Sequence, residues 1–245
     1  MRDGPEGRQF TTPKGWDQSG IPWSPNGGTK MKQNNTKRTN RFNLQWMTGT
    51  ALMIAVVLVL GSTPLGRITM PFLTATTLHI PVIIAALVLG WESGMLTGLA
   101  FGIHSLISNL SGASFFAPFF INPLVSVLPR VLFPLFVWLI AEGVKRVTAR
   151  VKGGNYIACA VSSFLGTCLH TTMVMGMIYL LNAGKITAML GNANVPGAIA
   201  ERGVGMGIAV LGATNGIPEA IVAAVIAPAI AAALGRAIGR RGQIR

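Results

Sequence analysis

Few residues of this sequence could do chemistry, and the most conspicuous one lies inside an apolar stretch. Arg130 is the single full charge in the run FINPLVSVLPRVLFPLFVWLI, residues 120–140. An isolated arginine at membrane depth costs about 3 kcal/mol or more, so it normally faces a bundle interior or a watery cavity and needs a partner. Pro123, Pro129 and Pro134 surround it, and each proline frees a backbone carbonyl one turn back. Two roles fit Arg130: packing against freed carbonyls or a buried carboxylate, or binding a ligand.

Further polar residues are candidates for the same site, because the topology expected below brings them to the outer half of a helix bundle. They are Asn122, Asn215, Glu219, His170, Thr171, Asn109, His79 and Arg67. An ion pair between Arg130 and Glu219 would offset the cost of burying both charges, and a polar ligand could share it. The alternative for each is structural, since a lone histidine in a helix more often hydrogen-bonds a neighbouring backbone group than a ligand.

Catalytic signatures are absent from the sequence. It contains no GxxxxGK(S/T), HExxH, GxSxG or CxxC motif. The three histidines, His79, His104 and His170, fall on three expected helices without metal-ligand spacing. We therefore expect no enzyme, no cofactor and no metal site.

The composition is that of a membrane protein. Of its 245 residues 51% are hydrophobic and only 11% are charged, and the mean hydropathy is +0.54. Apolar runs predict an all-α bundle of six transmembrane helices, near residues 44–61, 79–90, 95–110, 120–140, 156–181 and 214–234. The connections are expected at 62–77, at a tight turn over 91–94, at 111–122 and at 182–196. Residues 198–212 form either a short surface helix or the early part of the last span, for which Asn215 is the expected cap.

The basic residues predict how this bundle is oriented. Sixteen of the 20 Lys and Arg lie in residues 1–43, in the 145–152 connector or at the C-terminus, whereas Arg67, Lys185 and Arg202 fall on the opposite side. This positive-inside bias puts both termini in the cytoplasm. We expect a disordered basic tail over 1–43, a substrate-binding domain over 44–238 and a basic tail over 239–245. The first tail would lie against anionic lipid headgroups rather than nucleic acid.

Three segments carry a family resemblance. Over about residues 44–238 the chain resembles the S components of energy-coupling-factor (ECF) vitamin transporters. The segments that carry this resemblance are LHIPVIIAALVLGWESGMLTGLAFGIHSLI, FINPLVSVLPRVLF and TNGIPEAIVAAVIAPAI. The resemblance implies a six-helix bundle that binds a water-soluble vitamin from outside and works with a transmembrane T component and two ATPase subunits. Ala51 and Ala55 match the family's AxxxA motif, which packs on the T component, and the family's gating loop falls on 62–77.

The resulting hypothesis is a substrate-binding subunit of an ATP-driven vitamin importer in the bacterial plasma membrane. It has no ATPase activity of its own, and pantothenate is the favoured ligand. The alternative is a self-sufficient secondary carrier or facilitator of a small polar solute. An intramembrane enzyme fits least, because no nucleophile, metal or base constellation is present.

Overall fold

The computed structural model describes residues 36–64, 66–69, 74–110, 117–192 and 204–237. The chain divides into two units, Met1–Arg41 and Phe42–Arg245, and only the start of one helix is described in the first unit. Residues 1–35 and 238–245, which hold most of the two expected tails, lie outside the described residues. The part of the N-terminal tail that is described, from Thr36, is helical.

The described chain is almost entirely helical. Its elements in order are α1 (Thr36–Gly61), β1 (Arg67–Thr69), β2 (Thr74–Thr76), α2 (His79–Leu89), α3 (Trp91–Asn109), α4 (Ala117–Phe120), α5 (Pro123–Ser126), α6 (Leu128–Val147), α7 (Gly154–Asn192) and α8 (Val204–Ala237). The two short strands pair antiparallel, with Arg67 opposite Thr76 and Thr69 opposite Thr74. The 62–77 connection, expected only as a loop, therefore contains a small hairpin.

Four segments are long and apolar enough to cross a membrane. They are Leu44–Gly61, Pro123–Val147, Gly154–Asn182 and Gly212–Arg236. The chain is thus an all-α, multi-pass membrane protein in its described part, apart from the hairpin. The expected spans near 44–61 and 156–181 agree closely with two of these segments.

Helix α2 is too short to span a bilayer alone. Its 11 residues rise roughly 16 Å, about half of a typical hydrocarbon core. Ten of the 11 are buried, from His79 to Leu89. A helix that is apolar on every side is buried within protein. Accordingly, α2 packs against α3, α6, α7 and α8.

The longer helices surround α2. Contacts run from α3 to α6, from α6 to α7 and from α7 to α8, and α8 returns to α2. Their shared core includes Val57 of α1, Ile83 of α2, Phe101 of α3, Phe133 of α6 and Ala227 of α8. The inner faces of five helices thus meet in one apolar core.

Glycines bring α3 unusually close to α6. A Cβ on Gly98 would overlap the carbonyl oxygen of Arg130, and one on Gly102 would lie 2.9 Å from the Cα of Val127. One on Gly94 would lie 2.9 Å from the Cβ of Pro134. Small residues four apart let two backbones touch, which is how membrane helices pack without a hydrophobic driving force.

Two expected boundaries were wrong, and the structure decides a third that the sequence left open. Residues 91–94 are the first turn of α3 rather than a separate turn, because Gly90 makes the whole reversal with a φ of 105°. Helix α7 continues to Asn192 beyond a non-helical Asn182, so a loop does not begin at 182. Helix α8 begins at Val204, so the described part of 198–212 belongs to the last helix.

Candidate functional site

Arg130 lies just beyond a break between two helices. Helix α5 ends at Ser126 and α6 begins at Leu128, and only 5% of Arg130 is exposed. Its Nη1 donates to the carbonyl oxygens of Ser126 at 2.7 Å and Val125 at 3.3 Å. Because Pro129 has no N–H, it cannot bond the Val125 carbonyl four residues back. The arginine thus binds the carbonyl that the proline frees, as the sequence suggested.

Aromatic rings enclose the same guanidinium. Its Cζ lies 4.9 Å from the ring centroid of Phe101 on α3 and 5.3 Å from that of Phe120 on α4. Cation–π contacts at this distance contribute about 0.5–2 kcal/mol, more when desolvated. Together with the backbone bonds, they offset part of the cost of burying this charge.

His170 lies on α7 near Phe101 and next to a further aromatic residue, Phe133. Its ring centroid is 4.7 Å from that of Phe133 and 6.1 Å from that of Phe101. Only 6% of the residue is exposed, and neither ring nitrogen has a hydrogen-bond partner among the described residues. Arg130 and His79 are both close enough to act on it electrostatically.

His79 is the first residue of α2 and is 1% exposed. Its ring lies beside the backbone of Thr76 and Glu219, but neither ring nitrogen has hydrogen-bond geometry to a described residue. The usual structural explanation of a helical histidine, a bond to neighbouring backbone, therefore does not hold for His170, whereas His79 lies against the backbone of Thr76 and Glu219. We call Arg130, His79, His170 and Glu219 the polar cluster.

Glu219 connects the hairpin to α8. Its Oε1 accepts a 2.6 Å hydrogen bond from the backbone N–H of Thr76, the last residue of β2. The charge of Arg130 acts on this carboxyl at longer range. The direct hydrogen bond of Glu219 thus goes to the hairpin, whereas the sequence suggested an ion pair with Arg130.

Two expected site residues have local structural roles. Asn122 caps α5, and its Oδ1 accepts a 3.0 Å bond from the N–H of Leu124. Asn109 ends α3 and donates from Nδ2 to the carbonyl oxygen of Ser105 at 2.7 Å.

Comparisons with known proteins identify the family. Residues 45–231 match the family described as ECF transporter, substrate-specific component. The chain belongs to this family. It is also 31% identical over 112 residues to the pantothenic acid transporter PanT of Lactococcus lactis subsp. cremoris (strain MG1363). That match covers 43% of this chain and 56% of PanT, so the chain spans about half the length of this relative.

The remaining expected site residues of this S component lie elsewhere in the fold. Asn215 is half-buried in the middle of α8 and does not cap it, because the helix begins 11 residues earlier. The side chain of Arg67 is outside the described part of the chain, although its backbone lies in β1. Thr171 faces α8, where its side chain meets Gly216.

Thr171 also lines an open groove between α7 and α8. The groove has a volume of about 500 Å³, and its walls include Met175, Tyr179, Gly212 and Ala213. No member of the polar cluster lines it. The groove is therefore distinct from the polar cluster, even though His170 and Thr171 are neighbours in sequence.

The two residues of the AxxxA motif face outward. Ala51 and Ala55 are exposed on α1, as are the large apolar side chains of Leu52 and Val59. The opposite side of α1 packs inward, where Thr50 donates a 2.8 Å hydrogen bond to the hydroxyl of Ser93.

Sequence reasoning missed Phe101, Phe133 and Thr76. The two phenylalanines are ordinary apolar residues of helices, and only their spacing offered a signal. Phe101 lies three residues after Gly98 and so on the face of α3 that meets α6. Thr76 contributes its backbone N–H, which every residue except proline has, so its residue type gave no signal.

Proposed function

We propose that this S component binds a water-soluble vitamin that carries a carboxylate, with pantothenate the favoured ligand, and that the polar cluster is the binding site. The observation that carries the proposal is the buried guanidinium of Arg130 near the imidazole of His170, whose ring nitrogens have no hydrogen-bond partner among the described residues. A guanidinium presents five donors in a fixed fork that matches a carboxylate. In an apolar bundle such an arrangement favours a small anion.

The match to PanT supports this ligand class. That relative is a transporter of pantothenic acid, whose carboxylate suits Arg130 and whose hydroxyl and amide groups suit uncharged imidazoles. Within the proposal, His79, His170 and Glu219 are the principal further contacts. The further residues expected from the sequence, Asn122, Asn109, Asn215, Thr171 and Arg67, are not part of the polar cluster and stand outside the proposed site.

We further propose six spans with both termini in the cytoplasm of a bacterial cell, and residues 44–238 as the substrate-binding domain. The distribution of Lys and Arg supports this orientation. Helices α2 and α3 would supply the second and third spans, with the short α2 sheltered from lipid by its neighbours.

Transport in this proposal depends on partners. The sequence has no P-loop motif, so ATP hydrolysis falls to two ATPase subunits that act through a transmembrane T component. The exposed Ala51 and Ala55 would form the contact with the T component. Uptake of pantothenate by this chain alone in liposomes would instead support a secondary carrier.

The direct test is ligand binding by the purified full chain in detergent. A panel of water-soluble vitamins would be titrated against the wild type, Arg130→Lys and Arg130→Met. We expect pantothenate to bind the wild type best and Arg130→Met to lose about 2–5 kcal/mol of affinity at near-normal stability. Arg130→Lys should lose less, because it keeps the charge without the fork. Binding of pantothenate by Arg130→Met within about threefold of wild type would overturn the proposal.

A further inference from the structure

His170 differs from Ser163 and Thr167, two other buried polar residues of α7, in how its polar atoms are satisfied. Ser163 donates to the carbonyl oxygen of Cys159 at 2.7 Å, and Thr167 donates to that of Ser163 at 2.8 Å. Both hydroxyls are therefore paired within their own helix. His170 makes no such bond, although it is on the same helix and equally buried.

The ring of His170 lies where α7 meets aromatic side chains of α6 and α3. Its centroid is 4.7 Å from that of Phe133 of α6 and 6.1 Å from that of Phe101 of α3, and Arg130 lies over the same Phe101 ring. His79 of α2 is within electrostatic range on another side. A buried polar atom without a partner carries an unrecovered desolvation cost, so such atoms are rare and call for an explanation.

We infer that His170 determines specificity by hydrogen-bonding a hydroxyl group of the same ligand whose carboxylate binds Arg130, an inference that rests on the proposed function. An uncharged imidazole has one donor and one acceptor, and a hydroxyl group likewise donates one bond and accepts others. Packing against Phe133 and Phe101 limits how far the ring can turn, so that its nitrogens are held in place for the ligand. The substrate class is therefore a small hydroxy-carboxylate rather than a simple carboxylate.

The first measurement is the thermal stability of the ligand-free protein, and it requires no ligand. His170→Phe keeps an aromatic ring against Phe101 and Phe133 but has no polar atom. We expect its melting temperature to equal or exceed that of the wild type. His104→Phe is the matched control, because His104 is a histidine of α3 outside the cluster, with its ring against Gly61 and its Nδ1 3.4 Å from the hydroxyl of Ser108. A fall for His170→Phe larger than for His104→Phe would show that His170 has a structural partner, and would overturn the inference.

The second measurement is a thermodynamic cycle in which both the protein, at His170, and the ligand, at one hydroxyl group, are changed and each affinity is measured. Pantothenate and analogues that lack one or the other hydroxyl would be titrated against the wild type, His170→Phe and His170→Gln. We expect the wild type to prefer pantothenate to one of the analogues by about 10- to 100-fold, the usual size of one buried hydrogen bond. In His170→Phe the ratio of the affinities for pantothenate and for that analogue should fall to about one. His170→Gln keeps a donor and an acceptor, so it should recover part of the preference for pantothenate. It also provides a second variant if His170→Phe does not fold.

The outcomes separate the two proposals. If the wild type binds pantothenate and the preference is the same in His170→Phe, the inference is overturned while the proposed function stands. If the wild type binds no compound of the vitamin panel, the proposed function fails, and the ligand class inferred for His170 fails with it.

Discussion

At the scale of single residues, the chain buries one arginine by supplying acceptors from its own backbone. Pro129 removes the donor that would have bonded the Val125 carbonyl, and the guanidinium of Arg130 occupies it instead. The guanidinium also lies over the rings of Phe101 and Phe120. Arg130 is thus held in position from several sides, which a binding residue requires if its donors are to meet a ligand in a fixed geometry.

Glu219 gives the first residue-scale prediction. Its carboxylate accepts the N–H of Thr76, and hydrogen bonds to charged groups contribute about 1.5–3 kcal/mol. Glu219→Leu should therefore lower the melting temperature of the purified protein clearly more than Glu219→Gln, which keeps an oxygen acceptor. Glu92, exposed in the first turn of α3, offers the control substitutions Glu92→Leu and Glu92→Gln. Equal melting temperatures for the two Glu219 variants would contradict a role in anchoring the hairpin.

The double variant Arg130→Met/Glu219→Gln decides whether these two residues depend on each other. A structural ion pair would leave Glu219 unpaired in Arg130→Met, a penalty of about 3–5 kcal/mol that Glu219→Gln should relieve. Because Glu219 already bonds Thr76, we expect no recovery of stability or of ligand binding. Restoration of both in the double variant would favour the ion pair over a ligand role.

At the scale of elements, glycines and prolines together define the contact between α3 and α6. Pro134 of α6 leaves the carbonyl of Arg130 without its usual helical donor, and Gly98 of α3 packs directly on that carbonyl. At so close an approach, the Cα–H of Gly98 can form a weak hydrogen bond to the carbonyl oxygen of Arg130. The two irregular features, a proline-containing helix and a glycine-rich one, therefore complement each other.

Gly98→Ala tests this contact. The added methyl group would meet backbone rather than a flexible side chain, so the helices must move apart, at a cost of about 1–3 kcal/mol. We expect a lower melting temperature and weaker ligand binding, since Arg130 moves with its helix. Gly143→Ala on α6 is the matched control, because nothing lies within 4 Å of the added methyl group. It should be neutral or slightly stabilising, since alanine favours a helix more than glycine does.

The outward face of α1 yields a prediction about assembly. Ala51 and Ala55 are exposed, so a bulky residue there leaves the interior of this chain unchanged but blocks close approach of another helix. Ala51→Trp and Ala55→Trp should abolish copurification with a T component and uptake in cells, with ligand binding by the isolated chain intact. Leu52→Trp, also exposed but already large, should have a much weaker effect. Normal assembly of both alanine variants would show that the motif is incidental.

At the scale of the whole molecule, a short buried helix lies inside a ring of longer ones. Helix α2 contributes His79 at its first residue and otherwise apolar side chains to the core. The polar cluster therefore lies where α2 begins, at the level at which the hairpin, α6, α7 and α8 also converge.

Cysteine labelling tests the proposed orientation of this bundle. Thr148 follows the last residue of α6, before α7 begins, and Lys185 lies in the last part of α7. Lys185→Cys and Thr148→Cys would be treated with an impermeant thiol reagent on intact cells. We expect the cysteine at position 185 to react and the one at 148 to remain unlabelled until the membrane is permeabilised. Cys159 and Cys168 are free, so the wild type sets the background. The reverse pattern would overturn the assignment of both termini to the cytoplasm.

The sequence alone determined those features that depend on neighbouring residues in the chain. Hydropathy located the four clear spans, and residue type marked Arg130 as the exceptional charge. Proline chemistry anticipated its carbonyl partners, and Asn122 before Pro123 indicated a helix start. Each of these rests on a local property, either transfer into lipid or a missing backbone donor.

Tertiary structure decided the rest, because partners distant in sequence carry no local signal. Asn215 and Pro218 look like a helix start, yet α8 runs through them from Val204, since neighbouring groups in a membrane bundle can satisfy the freed carbonyl. Thr76 bonds Glu219 across 143 residues, through a backbone amide that every residue except proline possesses. Which aromatic rings meet Arg130 and His170 likewise depended on how closely the glycines of α3 allow it to approach α6.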